Sequence, residues 1–307
     1  MKELTIIITT VNEQQETNAT VKSIRETAGS EPEIIVVDDH SDIPQTLEDT
    51  SVKLIRNIER KGVGGARHTA AQYAEGKNLL ITDCHMRFDK NWYEPALEAM
   101  RNKPQTLHCG TCLGLSEGNM DLEKHRGAYN GATLCMYNES TNEVLEGKWV
   151  AEKEGDNYDL GCLMGAVYFI PKDFYFKLRG LQDLRGWGSD EPFLSLKAWL
   201  AGGEVKLLKK VRVGHKFRSA APYCTWSPWM PYNKLMTIYT VLGQRWYDVF
   251  KDKFPVSGDN DAAKRFMEKE KVQMDANRTY YQSIFVHTPE WYMNKFNIKC
   301  DVSVPVS

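Results

Sequence analysis

Asn78-Leu-Leu-Ile-Thr-Asp-Cys-His85 is the stretch that decides the fold. A short run of apolar and β-branched residues stops abruptly at a carboxylate and an imidazole. Such a run, without polar alternation, is the signature of a strand buried on both faces, as in a parallel sheet. The same shape recurs upstream. Leu4-Thr-Ile-Ile-Ile-Thr9 runs into Asn12-Glu13, and Glu33-Ile-Ile-Val-Val37 runs into Asp38-Asp39. Lys53-Leu-Ile-Arg56 is a shorter candidate strand. Between them, Glu13 to Thr27 carries spaced apolar positions that predict a helix, and Gly62-Val-Gly-Gly-Ala66 opens a second helix running to Glu75. The order β-α-β-β-α-β predicts an α/β chain with an open, mostly parallel central sheet. Ligands on such sheets bind beyond the carboxyl ends of the strands. Thr9, Asp38, Asp39, Asp83 and His85 all fall there.

Working outward, Trp92 to Met100 predicts a helix, Cys162 to Ile170 a strand closed by Pro171, residues 190 to 201 a helix, and Glu204 to Val213 a strand. Residues 105 to 150 give no clear pattern. After Arg218 the composition changes. Residues 222 to 254 are rich in Trp, Tyr and Pro, and 261 to 280 form a charged helical stretch. The expected organisation is a unit over 1–220, with a nucleotide-binding half at about 1–90 and an acceptor half at about 91–220. An aromatic-rich, mainly helical extension over 221–307 follows.

The 307 residues carry 39 Lys and Arg against 41 Asp and Glu, a net charge of −2, so no general basic field draws in a polyanion. No stretch approaches the roughly 18 apolar residues of a membrane helix. Seven cysteines without framework spacing favour reduced thiols and a cytoplasmic setting. Cys109 and Cys112 lack a second pair to complete a zinc site.

Four groups of residues could carry chemistry. Asp83 and His85, two apart on extended backbone, project to the same side and could ligate one divalent cation. Carboxylate plus imidazole suits Mn²⁺ better than Mg²⁺, and His215 is the candidate third ligand. Arg67 is read in the first turn of its helix, where the helix dipole disfavours a cation and an anionic partner is expected. Gly186-Trp-Gly-Ser-Asp-Glu-Pro192 places adjacent carboxylates after a tight turn. There Ser189 or Asp190 is an expected N-cap, or one carboxylate faces a pocket as a base beside Trp187. Lys206 to Arg218 is the most basic segment, either a solvated face or a diphosphate or polyanion contact.

Taken in order, these residues resemble a family 2-type glycosyltransferase of the GT-A, Rossmann-like fold, and within it the catalytic domain of polypeptide N-acetylgalactosaminyltransferases. The matching pieces begin with Ile6-Ile-Ile-Thr-Thr-Val-Asn-Glu13, Glu33-Ile-Ile-Val-Val-Asp-Asp39, Ile55-Arg-Asn57 leading to Arg67, Leu80-Ile-Thr-Asp-Cys-His85 and Trp92-Tyr-Glu-Pro95. Gly165-Ala-Val-Tyr-Phe-Ile170, Gly186-Trp-Gly-Ser-Asp-Glu191, Trp199-Leu-Ala-Gly-Gly203 and Arg212-Val-Gly-His-Lys-Phe-Arg218 complete the set. The resemblance implies that Thr9, Glu13, Asp38, Asp39 and Arg67 line the nucleotide pocket. It implies that Asp83, His85 and His215 hold Mn²⁺, or Mg²⁺, on the donor diphosphate. Gly165, Ala166, Trp187 and Asp190 would approach the sugar, and Arg218 and Tyr223 would belong to a loop over the diphosphate. The family usually has Gly-Gly-Glu-Asn where this chain has Gly188-Ser-Asp-Glu191. Asp190 and Glu191 are therefore candidate bases if the reaction inverts, and stereochemistry stays open.

The implied donor is a nucleotide sugar, a UDP-sugar by the resemblance, and the implied acceptor is a protein Ser or Thr hydroxyl. Hydroxymethylated pyrimidine in virus-type DNA is the alternative acceptor, motivated by the basic segment and by Tyr223, Trp226, Trp229, Tyr232, Tyr239, Trp246 and Tyr247. A different class is a non-catalytic nucleotide-binding protein on a transferase fold. Animal members carry an N-terminal membrane anchor and a C-terminal lectin domain. Their absence here makes a cytoplasmic protein of a bacterium, or of a virus in a bacterial host, the expectation.

Overall fold

A computed structural model describes the chain except residues 1, 221, 224–227, 255–256 and 306–307. Its centre is a mixed sheet. Strands β1 (Leu4–Thr10), β2 (Glu33–Asp38), β3 (Lys53–Arg56) and β4 (Asn78–Asp83) pair in parallel in the order β3-β2-β1-β4. A three-residue strand, β5 (Met86–Phe88), follows at once. Next come β6 (Thr106–Leu115), β7 (Ala128–Tyr129), β8 (Ala132–Asn138), β9 (Glu143–Trp149), β10 (Val167–Pro171) and β11 (Glu204–Lys216). Strand β10 is antiparallel to both β4 and β6, while β11 is parallel to β6 and antiparallel to β5. A small second sheet has the order β12-β8-β9, with β12 at Lys299–Cys300.

Helices α1 (Gln14–Ala28), α2 (Gly62–Tyr73), α3 (Tyr93–Asn102), α4 (Lys172–Lys177) and α5 (Asp190–Leu200) connect the strands. Beyond them lie α6 (Trp229–Thr237), α7 (Gln244–Phe250), α8 (Gly258–Lys269), α9 (Lys271–Ile284) and α10 (Pro289–Phe296). Alternation along each strand sorts the core into two layers. Ile6, Ile8, Ile34, Val36 and Leu80 face one side with Val21, Ile24, Trp92 and Leu97. Ile7, Ile35, Val37, Leu79 and Ile81 face the other, in a core continuous with Phe193, Tyr232, Met274, Tyr281 and Tyr292. The C-terminal helices thus complete the apolar layer under α5. The expected helical stretch at 261–280 is two helices, α8 and α9, and the strand expected from Cys162 begins only at Val167. Cys109 and Cys112 lie buried in β6, and the six described cysteines are free thiols.

One tight crossing fixes the mouth of the site. The Val63 amide donates to the Gly186 carbonyl at 2.9 Å, and Gly62 has φ +80. A Cβ on Gly62 would lie 2.0 Å from the Gly186 oxygen. Gly62→Ala therefore combines left-handed strain with a backbone clash. We expect it to destabilise the protein by about 3 kcal/mol or more. Gly29→Ala, with φ +64 but open space around its Cβ, should cost only about 1 kcal/mol. Urea unfolding of the two variants checks this, and equal losses would show that the crossing contributes nothing.

Candidate active site

The strand ends converge because of register. Thr9 lies opposite Asp83 across β1 and β4, and Thr10 lies opposite Asp38 across β1 and β2. Strand β11 runs three residues further than its apolar pattern predicts, to Lys216. It pairs there with β5, setting His215 opposite Met86. That pairing carries His215 to the end of β4. The Nε2 atoms of His85 and His215 are 3.1 Å apart, and His215 Nε2 is 3.3 Å from Asp83 Oδ2. The ligand atoms of Asp83, His85 and His215 all lie within 4.8 Å of one another. Two imidazole nitrogens facing each other beside a carboxylate leave lone pairs that a cation satisfies. One oxygen and two nitrogens fit a divalent transition ion that keeps positions for further oxygen ligands.

Two cavities meet at this cluster. The smaller, about 240 Å³, is lined by Thr9, Glu13, Asp39, Arg60, Cys84 and Trp229 among others. The larger, about 550 Å³, is lined by Arg67, Gly165, Ala166, Ser189, Asp190, Glu191 and Arg218, with Glu146 and Trp149 on its outer wall. Asp83, His85, Trp187 and Tyr223 line both. Burial and the nearby Asp83 carboxylate push the Tyr223 hydroxyl up to about 12, so it stays protonated.

Arg67 is the electrostatic keystone of the larger cavity. Because α2 starts at Gly62, Arg67 sits in its second turn and not the first, and its side chain is 2% exposed. Its anionic partners are carboxylates of the protein itself. Nη2 is 2.7 Å from Asp83 Oδ1 and 3.2 Å from the Gly165 carbonyl, while Nη1 pairs with Asp190. Burial alone would raise the Asp83 carboxyl, but the His215 hydrogen bond and the Arg67 charge hold it well below the usual carboxylate range. Glu191 behaves in the opposite way. Burial and the adjoining Asp190 carboxylate push it well up. Its carboxyl packs on Gly165, where a Cβ would come within 2.2 Å of Oε1.

Several expectations are corrected. Asp38 lines neither cavity. It accepts from the Ser41 amide at 2.8 Å and the Gln45 amide at 3.1 Å and pairs with Arg56, so it organises the loop after β2. The glycine-rich start of α2 holds the Asp39 carboxylate, which accepts from the Lys61 and Gly62 amides at 2.9 and 2.8 Å. Ser189 occupies the N-cap of α5 in a left-handed conformation, φ 70, with no capping bond. Its hydroxyl is buried without a partner. Asp190 does not cap either, because its carboxylate faces Arg67.

The basic run is not a free cationic stripe. Lys206, Lys209, Lys210, Arg212, Lys216 and Arg218 pair with Asp159, Glu152, Asp156, Asp89, Glu16 and Glu13 respectively. Of the aromatic residues proposed to stack a base, Tyr232, Tyr239 and Trp246 are buried core. Trp229 and Tyr247 pack against that core. Trp226 lies outside the described residues. Arg60, Cys84, Glu146 and Trp149 line the cavities without having been singled out in the sequence. Only a pairing of the β8–β9 hairpin with the rest of the cleft could have indicated the last two.

A model of the family described as "Glycosyl transferase family 2" matches residues 5–165. Polypeptide N-acetylgalactosaminyltransferase 5 of Rattus norvegicus is 28% identical over 218 residues, covering 68% of this chain and 23% of that protein. N-acetylgalactosaminyltransferase 7 of Mus musculus is 28% identical over 268 residues, covering 77% of this chain and 40% of that protein. The chain therefore spans less than half the length of these curated relatives. A crystal structure of GalNAc-T7 with UDP, GalNAc and Mn²⁺ superposes with a TM-score of 0.70 at 20% identity, over 97% of this chain and 57% of that one. The shared architecture is the GT-A-like α/β fold.

Proposed function

The chain belongs to glycosyl transferase family 2, and from that premise we propose that it transfers a sugar from a UDP-sugar to an acceptor hydroxyl with Mn²⁺ held by Asp83, His85 and His215. The observation that carries this reading is the ligand cluster at the junction of two cavities. The smaller has room for a base and ribose, the larger for a sugar and an incoming acceptor. When bound, the metal neutralises charge that grows on the departing diphosphate.

The residues around it do the remaining work. Thr9 and Asp39 border the nucleoside end, and Arg218 and Tyr223 reach over the junction from the loop after β11. Arg67 holds Asp83 and Asp190 in fixed positions, so these groups need no rearrangement during the reaction. Asp190, tied to Arg67, serves as a hydrogen-bond acceptor. Glu191, whose carboxyl burial and the adjoining Asp190 favour in its protonated form, serves as a donor toward a sugar hydroxyl beside Gly165. The acceptor we favour is a protein Ser or Thr hydroxyl. That choice is supported by the polypeptide acceptor in the relatives' names and by the internal pairing of the 206–218 cations, which leaves little charge for a nucleic acid.

Isothermal titration of UDP tests the core of the proposal. Binding should tighten at least about 10-fold when Mn²⁺ is present. Absence of UDP binding both with and without the ion would overturn it.

A further inference from the structure

His85 has a second nitrogen, and what surrounds it is unusual. Nδ1 is 3.3 Å from Glu13 Oε2 and 3.6 Å from Cys84 Sγ, and Cys84 Sγ is 3.3 Å from Glu13 Oε1. One carboxylate, one thiol and one imidazole thus close a triangle on the opposite edge of the ring from Asp83 and His215. We propose that Glu13, Cys84 and His85 form a second metal site, which takes a soft divalent cation such as Zn²⁺ and inhibits the enzyme.

Three observations carry this. The Cys84–His85 edge of 3.6 Å is the one a tetrahedral ion requires, and the two carboxylate edges of 3.3 Å run to different Glu13 oxygens, so the carboxylate turns to present one of them to the ion. A zinc–sulfur distance of about 2.3 Å and zinc–nitrogen or –oxygen distances of about 2.1 Å set ligand separations near 3.3–3.6 Å. The place is already a seat for positive charge, since the Arg218 guanidinium lies 2.6 Å from Glu13 Oε2. And the site is reachable, because all three ligands line the smaller cavity although each is largely buried. The thiolate is what separates this site from the one at Asp83 and His215. Both sets bind zinc more tightly than manganese, but the thiolate widens that difference at this site.

Occupation costs the enzyme twice. The thiol gives up its proton to solvent as the metal–sulfur bond forms. Arg218 must leave Glu13. Then His85 would have to serve one metal through Nδ1 and another through Nε2, which a single neutral imidazole cannot do. Zinc in the second site therefore weakens the first.

The site is tested on the full chain with metals alone. Co²⁺ added to the metal-free protein should produce a near-ultraviolet thiolate-to-cobalt charge-transfer band in the natural protein and none in Cys84→Ser. Cys84→Ala, which keeps apolar packing, is the second variant. In Mn²⁺-saturated protein, zinc inhibition of turnover should be weaker by about 10-fold or more in both variants, since losing a ligand costs at least what losing an outer-sphere partner does. No band in the natural protein, an equal band in Cys84→Ser, or unchanged zinc sensitivity would overturn the site. The inhibition arm rests on the transferase reading, but the cobalt band does not. A band without turnover on any donor would sink that reading and leave the site standing.

Discussion

Asp83→Asn should lower Mn²⁺-dependent sugar transfer by at least about 10²–10³-fold, the scale lost when one fixed group that stabilises transition-state charge is removed. The substitution keeps volume and removes charge. Asp83 has two jobs in the structure, one on each oxygen. Oδ2 faces His215 at 3.3 Å, while Oδ1 pairs with Arg67 at 2.7 Å. A neutral amide leaves the metal with two imidazoles and no anionic protein ligand, and it frees Arg67 to lean toward Asp190. Both changes act on the same charge, that of the departing diphosphate. The loss should fall on kcat as well as KM, because the interaction strengthens as charge develops. Electron paramagnetic resonance of Mn²⁺ gives a readout independent of turnover. Affinity should fall in parallel in Asp83→Asn and His215→Ala. Turnover within a few-fold of the natural protein, with unchanged Mn²⁺ affinity, would reject the ligand assignment.

How much of this was legible in the sequence depends on how local each feature is. The strand ends were readable because an apolar run that stops at Asp38-Asp39 or at Asp83-Cys84-His85 encodes both the buried strand and its polar terminus. Telling Asp38 from Asp39 was not possible. Their difference is a matter of pleat, one side chain turning into the loop at Ser41 and Gln45 and the other toward the start of α2. His215 is legible as a candidate, but its route to Asp83 runs through β5, three residues long and too short to leave a periodic signal. The dipole argument for Arg67 correctly demanded an anion and misjudged the turn. The partners come from the ends of β4 and α5, which sequence separation hides. Glu146 and Trp149 reach the cleft on a hairpin whose position is set by packing alone.

Arg67→Met should be the most destabilising of the substitutions considered, by about 3–5 kcal/mol at neutral pH. That is the usual cost of removing one partner from a buried charge cluster. The methionine fills similar volume, so the loss is electrostatic and not a cavity effect. Two carboxylates converge on the guanidinium, Asp83 and Asp190, and Glu191 stands beside them. Without Arg67 the natural protein's balance of one cation among three acids becomes none, and at least one more carboxyl must take up a proton or draw in a cation. Acid should narrow the gap between the two proteins. Asp83 in the natural protein is held below the usual range. Its contribution is therefore fully present above the unfolded value of about 3.9 and is lost as pH falls through the lower folded value. In Arg67→Met much of that contribution is missing from the start, so the acid limb of its stability curve is flatter. Urea unfolding at pH 7 and near pH 3 reads both effects. Mn²⁺ should restore part of the loss at neutral pH, because the ion supplies positive charge on the other side of Asp83 and binds the folded state alone. Arg67→Lys should recover only part, since one ammonium cannot span Asp83 and Asp190 as the forked guanidinium does. A loss under about 1 kcal/mol in Arg67→Met, or one that does not shrink in acid, would show that the cluster is not held by this residue.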